Sequence, residues 1–276
     1  MREQLLDATS ILADAGVPTP DVDARLLAAH VLGMSPMAVM FADVDETFAE
    51  RFAGVVKRRA QREPLQHITG TAPFGPLDLA VGPGVFIPRP ETEVLADWAV
   101  RTLAGTLAPT VVDMGTGSGA LAIYVASHIP EARVYAVELS ATAREYAARN
   151  AASHGVRITL FDASMTDPQL LRDLDGAVDL VVANPPYVPD TPDLEPEVYR
   201  DPPEAVFSGA DGMDAIRGLV PVAQRLLRPG GWLGVEHDDV TSTSTCSVIE
   251  ACGGFGPPTV LRDLAGRNRL VCASKL

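Results

Sequence analysis

The chain has 276 residues, with 22 Lys and Arg against 36 Asp and Glu, and a formal net charge of −14. Its 47% hydrophobic and 21% charged content is that of a folded globular protein, which excludes a disordered tail. The acidity argues against a protein that holds nucleic acid mainly by neutralising phosphates, because that needs a basic face. It suits a basic protein partner, since complementary fields speed encounter. Cys246, Cys252 and Cys272 lack C-x-x-C or His/Cys ligand spacing and are read as free thiols in a reducing cytoplasm. The first residues carry acids and no apolar run, so no signal peptide is expected. The longest uncharged apolar stretch, residues 119–130, is shorter than the ~20 residues that span a bilayer. A soluble, cytoplasmic protein is expected, with no membrane association and no stable nucleic-acid binding.

Residues 1–63 read as a small helical bundle. Leu5, Leu6, Ile11 and Leu12, then Leu26, Leu27, Val31 and Leu32, recur at helical spacing. Gly16, Pro18 and Pro20 separate the two helices, and Asp21 is the expected N-cap of the second. A third helix is expected from Glu46 to Arg62, ending in Lys57, Arg58, Arg59 and Arg62. That basic cluster reads as a solvated helix C-terminus complementing the helix dipole, or as a contact for an acidic patch on a partner. Residues 64–88 read as a β-hairpin linker. The short runs Gln66–Thr69, Leu77–Val81 and Val85–Ile87 are taken as extended, separated by glycines and prolines.

Residues 89–276 alternate between strand-like and helix-like segments, which predicts an α/β domain with a mostly parallel sheet and right-handed crossovers. Strands are expected at Thr110–Met114, Arg133–Leu139, Arg157–Phe161, Leu180–Asn184 and Gly231–Glu236. Thr259–Asp263 and Arg269–Ala273 lie too close for a helical crossover and should pair antiparallel at one edge.

The first of these strands runs into Gly115-Thr116-Gly117-Ser118-Gly119 and then a helix. Glycines there let the backbone turn sharply and approach a ligand. Gly115-x-Gly117-x-x-Ala120 also fits a dinucleotide fingerprint, so the loop alone is ambiguous. Three acids sharpen it. Asp113, at the strand tip, is placed to meet a cationic amino group directly or through water. Glu138 ends the second strand, where a carboxylate accepts both ribose hydroxyl protons. Asp162, followed by Ala163, ends the third strand and is placed to receive an adenine amino group. A pyrophosphate gains little beside Asp113, whereas S-adenosylmethionine carries an amine and a sulfonium and no phosphate. The acids favour S-adenosylmethionine, with S-adenosylhomocysteine as product.

After the fourth strand comes Asn184-Pro185-Pro186-Tyr187, at the strand end where open α/β sheets bind ligands. A planar NH2 group offers two donors and needs two acceptors in its plane. The Asn184 side-chain oxygen and the Pro185 carbonyl supply them. Pro185 and Pro186 stiffen the turn, and Tyr187 gives a flat wall for stacking. Alkylation makes the nitrogen's hydrogens more acidic, so these acceptors are worth more in the transition state.

These residues resemble the class I S-adenosylmethionine methyltransferases, and specifically the release factor glutamine methyltransferase (PrmC/HemK) family. Phe86-Ile-Pro-Arg-Pro-Glu-Thr-Glu93 is the most specific match. Arg62–Gly70, Tyr199–Gly212 and Asp263–Arg269 resemble further family segments, so the likeness spans nearly the whole chain. The resemblance implies a seven-stranded Rossmann-like domain with an antiparallel edge strand, preceded by the helical bundle and hairpin. It implies methylation of the glutamine side-chain amide in the Gly-Gly-Gln loop of class I peptide release factors, gripped by the helical domain. Asn184 and Pro185 carry over as amide holders, Phe86 and Tyr187 as slot walls. Asp113, Gly115–Gly119, Glu138, Asp162, Ala163 and Asn184 carry over to the cofactor site. Glu138 stands for the family's usual Asp, His67 for Tyr, Ala163 for an aromatic residue, and Glu236-His-Asp-Asp for Glu-Ile-Gly. Adjacent Glu236 and His237 should point to opposite faces, so no metal site is expected. The alternative reading is an amino-group methyltransferase acting on RNA or DNA bases, which shares Asn-Pro-Pro-Tyr.

Overall fold

A computed structural model describes residues 1–190, 194–263 and 265–276. Leu264, within the Asp263–Arg269 segment, lies outside the described residues. The chain forms two compact units. One comprises Met1–Thr71 together with Leu194–Arg200, the other Ala72–Asp193 and Asp201–Leu276.

The first unit contains α1 (Arg2–Asp14), α2 (Pro20–Leu32), α3 (Glu46–Ala60) and the short α4 (Leu65–Thr69). Leu12, Leu27, Val56 and Ile68 meet in its core beside Phe48 and Phe52, whose rings stack 5.2 Å apart. The N-cap of α2 is Thr19, whereas Asp21 lies in the first turn because Pro20 already occupies the first helical position. Asp45 caps α3 by accepting from Phe48 N at 2.8 Å. That helix ends at Ala60, before the expected Arg62, whose φ of 61° cannot continue a right-handed helix. Gln66–Thr69 is helical, not extended. Pro64 O accepts from His67 N and Ile68 N, and Gly70, at φ 77°, ends the turn. Helical phase turns Ile68 into the core, which an extended run would not.

The basic cluster divides: Lys57 and Arg58 are exposed, whereas Arg59 and Arg62 are engaged by acids of this chain. Arg59 is buried and donates to Asp23 (2.7 Å), Glu197 (2.9 Å) and the Glu63 carbonyl (3.1 Å). Arg62 donates twice to Glu197, at 2.6 and 2.5 Å, and to Glu195 at 3.1 Å. Arg58 pairs with Glu63 at 2.5 Å. The acids that answer the cluster thus come from this chain, two of them from the returning segment Leu194–Arg200.

The hairpin pairs β1 (Thr71–Phe74) with β2 (Leu77–Ala80). Val85–Ile87 forms no strand; Val85 and Ile87 pack with Ala72, Val81 and Ala143 instead. In chain order α5 (Thr92–Thr102), β3 (Thr110–Met114), α6 (Ala120–His128), β4 (Arg133–Glu138), α7 (Ala141–Ser153), β5 (Thr159–Asp162) and β6 (Val178–Ala183) follow. Then come α8 (Pro203–Val206), α9 (Asp214–Leu226), β7 (Leu227–Glu236), α10 (Ser242–Cys252), β8 (Thr259–Arg262) and β9 (Asn268–Ser274).

The seven-stranded sheet has the order β5-β4-β3-β6-β7-β9-β8. The five strands from β5 to β7 run parallel, and β9 is antiparallel to both neighbours. The antiparallel strand therefore sits one place in from the edge, with β8 outside it, because the short β8–β9 connection forces hairpin pairing. Strand alternation sorts the core. Val111 faces the layer with α5 and α6, while Val112 and Met114 face that with α9 and α10. Strand order reverses between β3 and β6, the switch point where such sheets open a ligand crevice.

Candidate active site

At the C-terminal tip of β3 the chain turns through Gly115, Gly117 and Gly119, with φ of 79°, 55° and 89°. Gly115 N and Thr116 N both donate to Val137 O at 2.9 Å, tying the turn to β4. A Cβ on Gly115 would meet Met165 Cε at 2.6 Å, and one on Gly119 would meet Ile123 Cδ1 at 2.8 Å. Gly117 faces nothing within 4 Å, so here the backbone is bare toward open space. Thr116 and Ser118 are buried.

Asp113 is fully buried. Its Oδ2 accepts from Thr116 Oγ1 at 2.5 Å and Ala122 N at 3.1 Å, while Oδ1 has no hydrogen-bond partner among the described residues. Burial pushes its pKa up to about 7, against the pull of those two donors. A buried acid with one oxygen unused is the partner a cationic amine needs. Glu138 is already set in place by Gly117 N (2.9 Å) on one oxygen and Ser140 N (2.8 Å) on the other. Parallel register sets Glu138 of β4 beside Asp162 of β5. Asp162 is largely exposed and pairs with Arg144 at 2.8 Å, which also donates to the carbonyls of Glu138 and Leu139. Ala163 packs partly buried on the α9 side of the core. The three strand-end acids and the glycine turn thus converge, and their chemistry fits S-adenosylmethionine.

Asn184 follows β6, and its Nδ2 donates to Thr92 Oγ1, the first residue of α5, at 3.0 Å. Pro185 is buried and Pro186 half-buried. Tyr187 donates its hydroxyl to Glu236 Oε1 at 3.1 Å. Glu236 ends β7, is buried, and has its pKa raised to about 7 by that burial; the Thr92 and Tyr187 hydroxyls oppose the rise. Phe86 is half-buried with the Arg89 guanidinium 4.9 Å over its ring. Arg89 is ion-paired to the buried Asp201, which also accepts from Ile87 N at 3.3 Å. Glu91 pairs with Arg267 at 3.0 Å. Segment 86–93 is thus a scaffold, tied to Asn184 by Thr92, to residue 201 by Arg89 and to the 263–269 turn by Glu91.

Two supports escaped the sequence reading. Asn150 donates to the carbonyls of Ser118 (2.8 Å) and Ala80 (3.0 Å) and accepts from Ala80 N at 2.7 Å, stapling the glycine turn to the hairpin. Its signal was a lone amide on the alanine face of α7. Gly212, at φ 74°, lets the 208–213 turn close on the Asn-Pro-Pro-Tyr loop, since a Cβ there would stand 2.3 Å from Tyr187 O. His237 Nδ1 stands 2.7 Å from Asp238 O.

Asp113 and Glu236 carry a pH signature. Each ionises at about 7 in the fold but at 3.8 and 4.5 when free. Between those limits the folded state binds more protons, so stability falls as pH rises toward 7. Stability is expected to be lower at pH 8 than at pH 6 by about 1 kcal/mol per group, read as a lower thermal midpoint at pH 8. An unchanged or higher midpoint at pH 8 would contradict this.

Sheet order, glycine turn and strand-end acids define the fold of a methyltransferase. Two solved structures share that fold. The hMettl16 catalytic domain in complex with MAT2A 3′UTR hairpin 6 has TM-score 0.56 and 15% identity, over 83% of this chain and 82% of that one. The T. thermophilus 16S rRNA N2 G1207 methyltransferase, in complex with AdoMet and guanosine, has TM-score 0.56 and 20% identity, over 75% and 50%. The PrmC N-terminal domain model matches residues 3–70, and the methyltransferase small domain model residues 81–200. A Corynebacterium glutamicum release factor glutamine methyltransferase is 56% identical, covering 99% of this chain and 98% of its own. That of Mycobacterium tuberculosis is 45% identical, over 100% and 91%. The chain belongs to the release factor glutamine methyltransferase family.

Proposed function

We propose that this enzyme methylates the side-chain amide nitrogen of the glutamine in the Gly-Gly-Gln loop of class I release factors, using S-adenosylmethionine. The observation that carries this reading is the state of Asn184. Its Nδ2 is committed to Thr92, which leaves Oδ1 to accept from a planar NH2 group. The Pro185 carbonyl is the second acceptor, and Tyr187 and Phe86 flank the plane. Bound S-adenosylmethionine supplies an electrophilic methyl group on a sulfonium. Asp113 would answer its amine, Gly115–Gly119 its carboxylate end, Glu138 its ribose, and Asp162 and Ala163 its adenine, with Asn184 at the border of the site. As the amide nitrogen gives up its lone pair its hydrogens become more acidic, and the two acceptors gain strength in step.

The helical unit is proposed to hold the factor. Leu6, Met37, Met40 and Phe41 stay exposed on it, Met37 at 87% and Phe41 at 91%, which is apolar surface a protein partner would cover. Deleting residues 1–63 is a poor test, because it strips Leu194–Arg200 of the arginines that hold it. The experiment is incubation with methyl-labelled S-adenosylmethionine and, separately, intact release factor, a Gly-Gly-Gln peptide, total RNA and DNA. Label is expected on the glutamine amide. Label in nucleic acid with none in factor or peptide would overturn the reading. Met37→Ser with Phe41→Ser should raise KM for the intact factor about tenfold and leave the peptide's unchanged.

A further inference from the structure

One face of α7 runs in step with the hairpin and its linker. Thr142, Tyr146, Asn150 and His154 recur four residues apart, which places them in one stripe. Their partners, Gly84, Gly82, Ala80 and Asp78, recur two apart in the opposite direction. His154 Nε2 lies 3.0 Å from Asp78 O, and Asn150 bonds both backbone groups of Ala80. A Cβ on Gly82 would overlap Tyr146 Oη, and one on Gly84 would stand 2.9 Å from Thr142 Cγ2. Four helical residues rise about 6 Å and two extended residues about 6.6 Å, so the two repeats keep pace. Asn150 also reaches the glycine turn, its Nδ2 donating to Ser118 O at 2.8 Å. Ala147, three residues earlier on α7, lies against Gly119, where an added Cβ would meet it at 3.4 Å. The amide has one workable orientation, since two carbonyls face Nδ2 and one N–H faces Oδ1. Asn150 is 1% exposed, so a bond lost there leaves a buried group unpaired.

We propose that Asn150 is a positioning residue for the cofactor: it locks the glycine turn to the hairpin, so that occupancy of the cofactor site is felt at Ala80. This rests on the reading of Gly115–Gly119 as part of an S-adenosylmethionine site. The N–H groups of Gly115, Thr116 and Gly117 are spent on Val137 O and Glu138, which ties the turn to β4. The Asn150 bond ties the Ser118 carbonyl of the same turn to α7 and β2. With that carbonyl released, the turn populates other shapes and the cofactor must select the bound one, which lowers its affinity. The coupling is reciprocal: what the staple adds to cofactor binding, cofactor binding adds to the staple.

The test compares the wild-type full chain with Asn150→Leu, Asn150→Asp and His154→Ala, using S-adenosylhomocysteine as the probe. Asn150→Leu removes all three bonds at similar volume, so the dissociation constant measured by calorimetry is expected to rise about tenfold. Asn150→Asp keeps an acceptor for Ala80 N but loses the donor to Ser118 O, and should weaken binding about as much. His154→Ala loosens the hairpin from α7 without touching the turn, and should leave affinity within about twofold. In methyl-transfer assays the loss should fall on KM for S-adenosylmethionine, with kcat at saturation within about threefold. Hydrogen exchange at the Ala80 amide should slow about tenfold when the probe binds the wild type, and less than about twofold in Asn150→Asp. An asparagine that only stabilised the fold would lower the thermal midpoint and leave this probe-dependent exchange intact. Unchanged affinity in both Asn150 variants, an equal loss in His154→Ala, or wild-type Ala80 exchange that ignores the bound probe would overturn the proposal; the last needs no variant to fold. A wild-type chain that does not bind the probe overturns the cofactor reading and the proposal with it, whereas equally tight binding by wild type and Asn150→Asp overturns the proposal alone.

Discussion

Replacing Asn184 by alanine is expected to lower kcat on intact release factor by about 30- to 1,000-fold, a loss of ~2–4 kcal/mol in transition-state stabilisation. The size follows from what is removed. In the proposed reaction Asn184 Oδ1 is one of two acceptors for hydrogens whose acidity rises as the methyl arrives, so that bond would be stronger at the transition state than before it. The neighbouring polar groups do not replace it. Thr92 is held on the far side of the amide, and Tyr187 spends its hydroxyl on Glu236. Cofactor affinity, measured by calorimetry, should weaken only modestly, because the glycine turn and the strand-end acids are untouched. A large loss of cofactor affinity with normal turnover would contradict the role of Asn184.

The second large effect lies far from the chemistry. Arg59→Met is expected to destabilise the helical unit by ~3–5 kcal/mol, read as a lower thermal midpoint by circular dichroism. Arg59 is 5% exposed, and its removal leaves Asp23, at 4%, with a buried charge and, among the described residues, the Thr19 hydroxyl as the side chain that answers it. Glu197 would keep Arg62. Adding Asp23→Asn removes the uncompensated charge and should return part of the loss, in the manner of coupled neighbours. Loss below ~1 kcal/mol would mean that water already reaches the pair.

Strand Thr110–Met114 and the crossover pattern around it were legible because a buried parallel strand is an apolar run and its tips carry the acids. Element ends were less so. β5 begins at Thr159, later than the expected Arg157, and β7 begins at Leu227, before Pro229 and two glycines that read as a break. Gln66–Thr69 misled because a single turn has no periodicity to read, and only its burial against the bundle makes it helical. Asp113, Glu138 and Asp162 were legible as candidates because each lies at or next to the C-terminal end of a strand. The groups that support them were not, because their partners are distant in sequence. Thr92 meets Asn184 across 92 residues, Tyr187 meets Glu236 across 49, and Arg59 meets Glu197 across 138. No local pattern encodes such pairs; they exist only once the sheet has set its order.

The return of Leu194–Arg200 to the helical unit has a consequence for how this protein can change over time. A recognition module joined at one point can be exchanged by recombination at that point. Here the helical unit is written in two separate stretches of the gene, and the second follows shortly after the Asn184–Tyr187 loop. Asp23, Arg59, Arg62 and Glu197 must be inherited as a matched set, so a chimera that takes only the first 71 residues from a distant relative brings arginines without their acids. New substrate specificity is therefore expected to arise by point substitution on the exposed face of the bundle, with the four charged residues kept together.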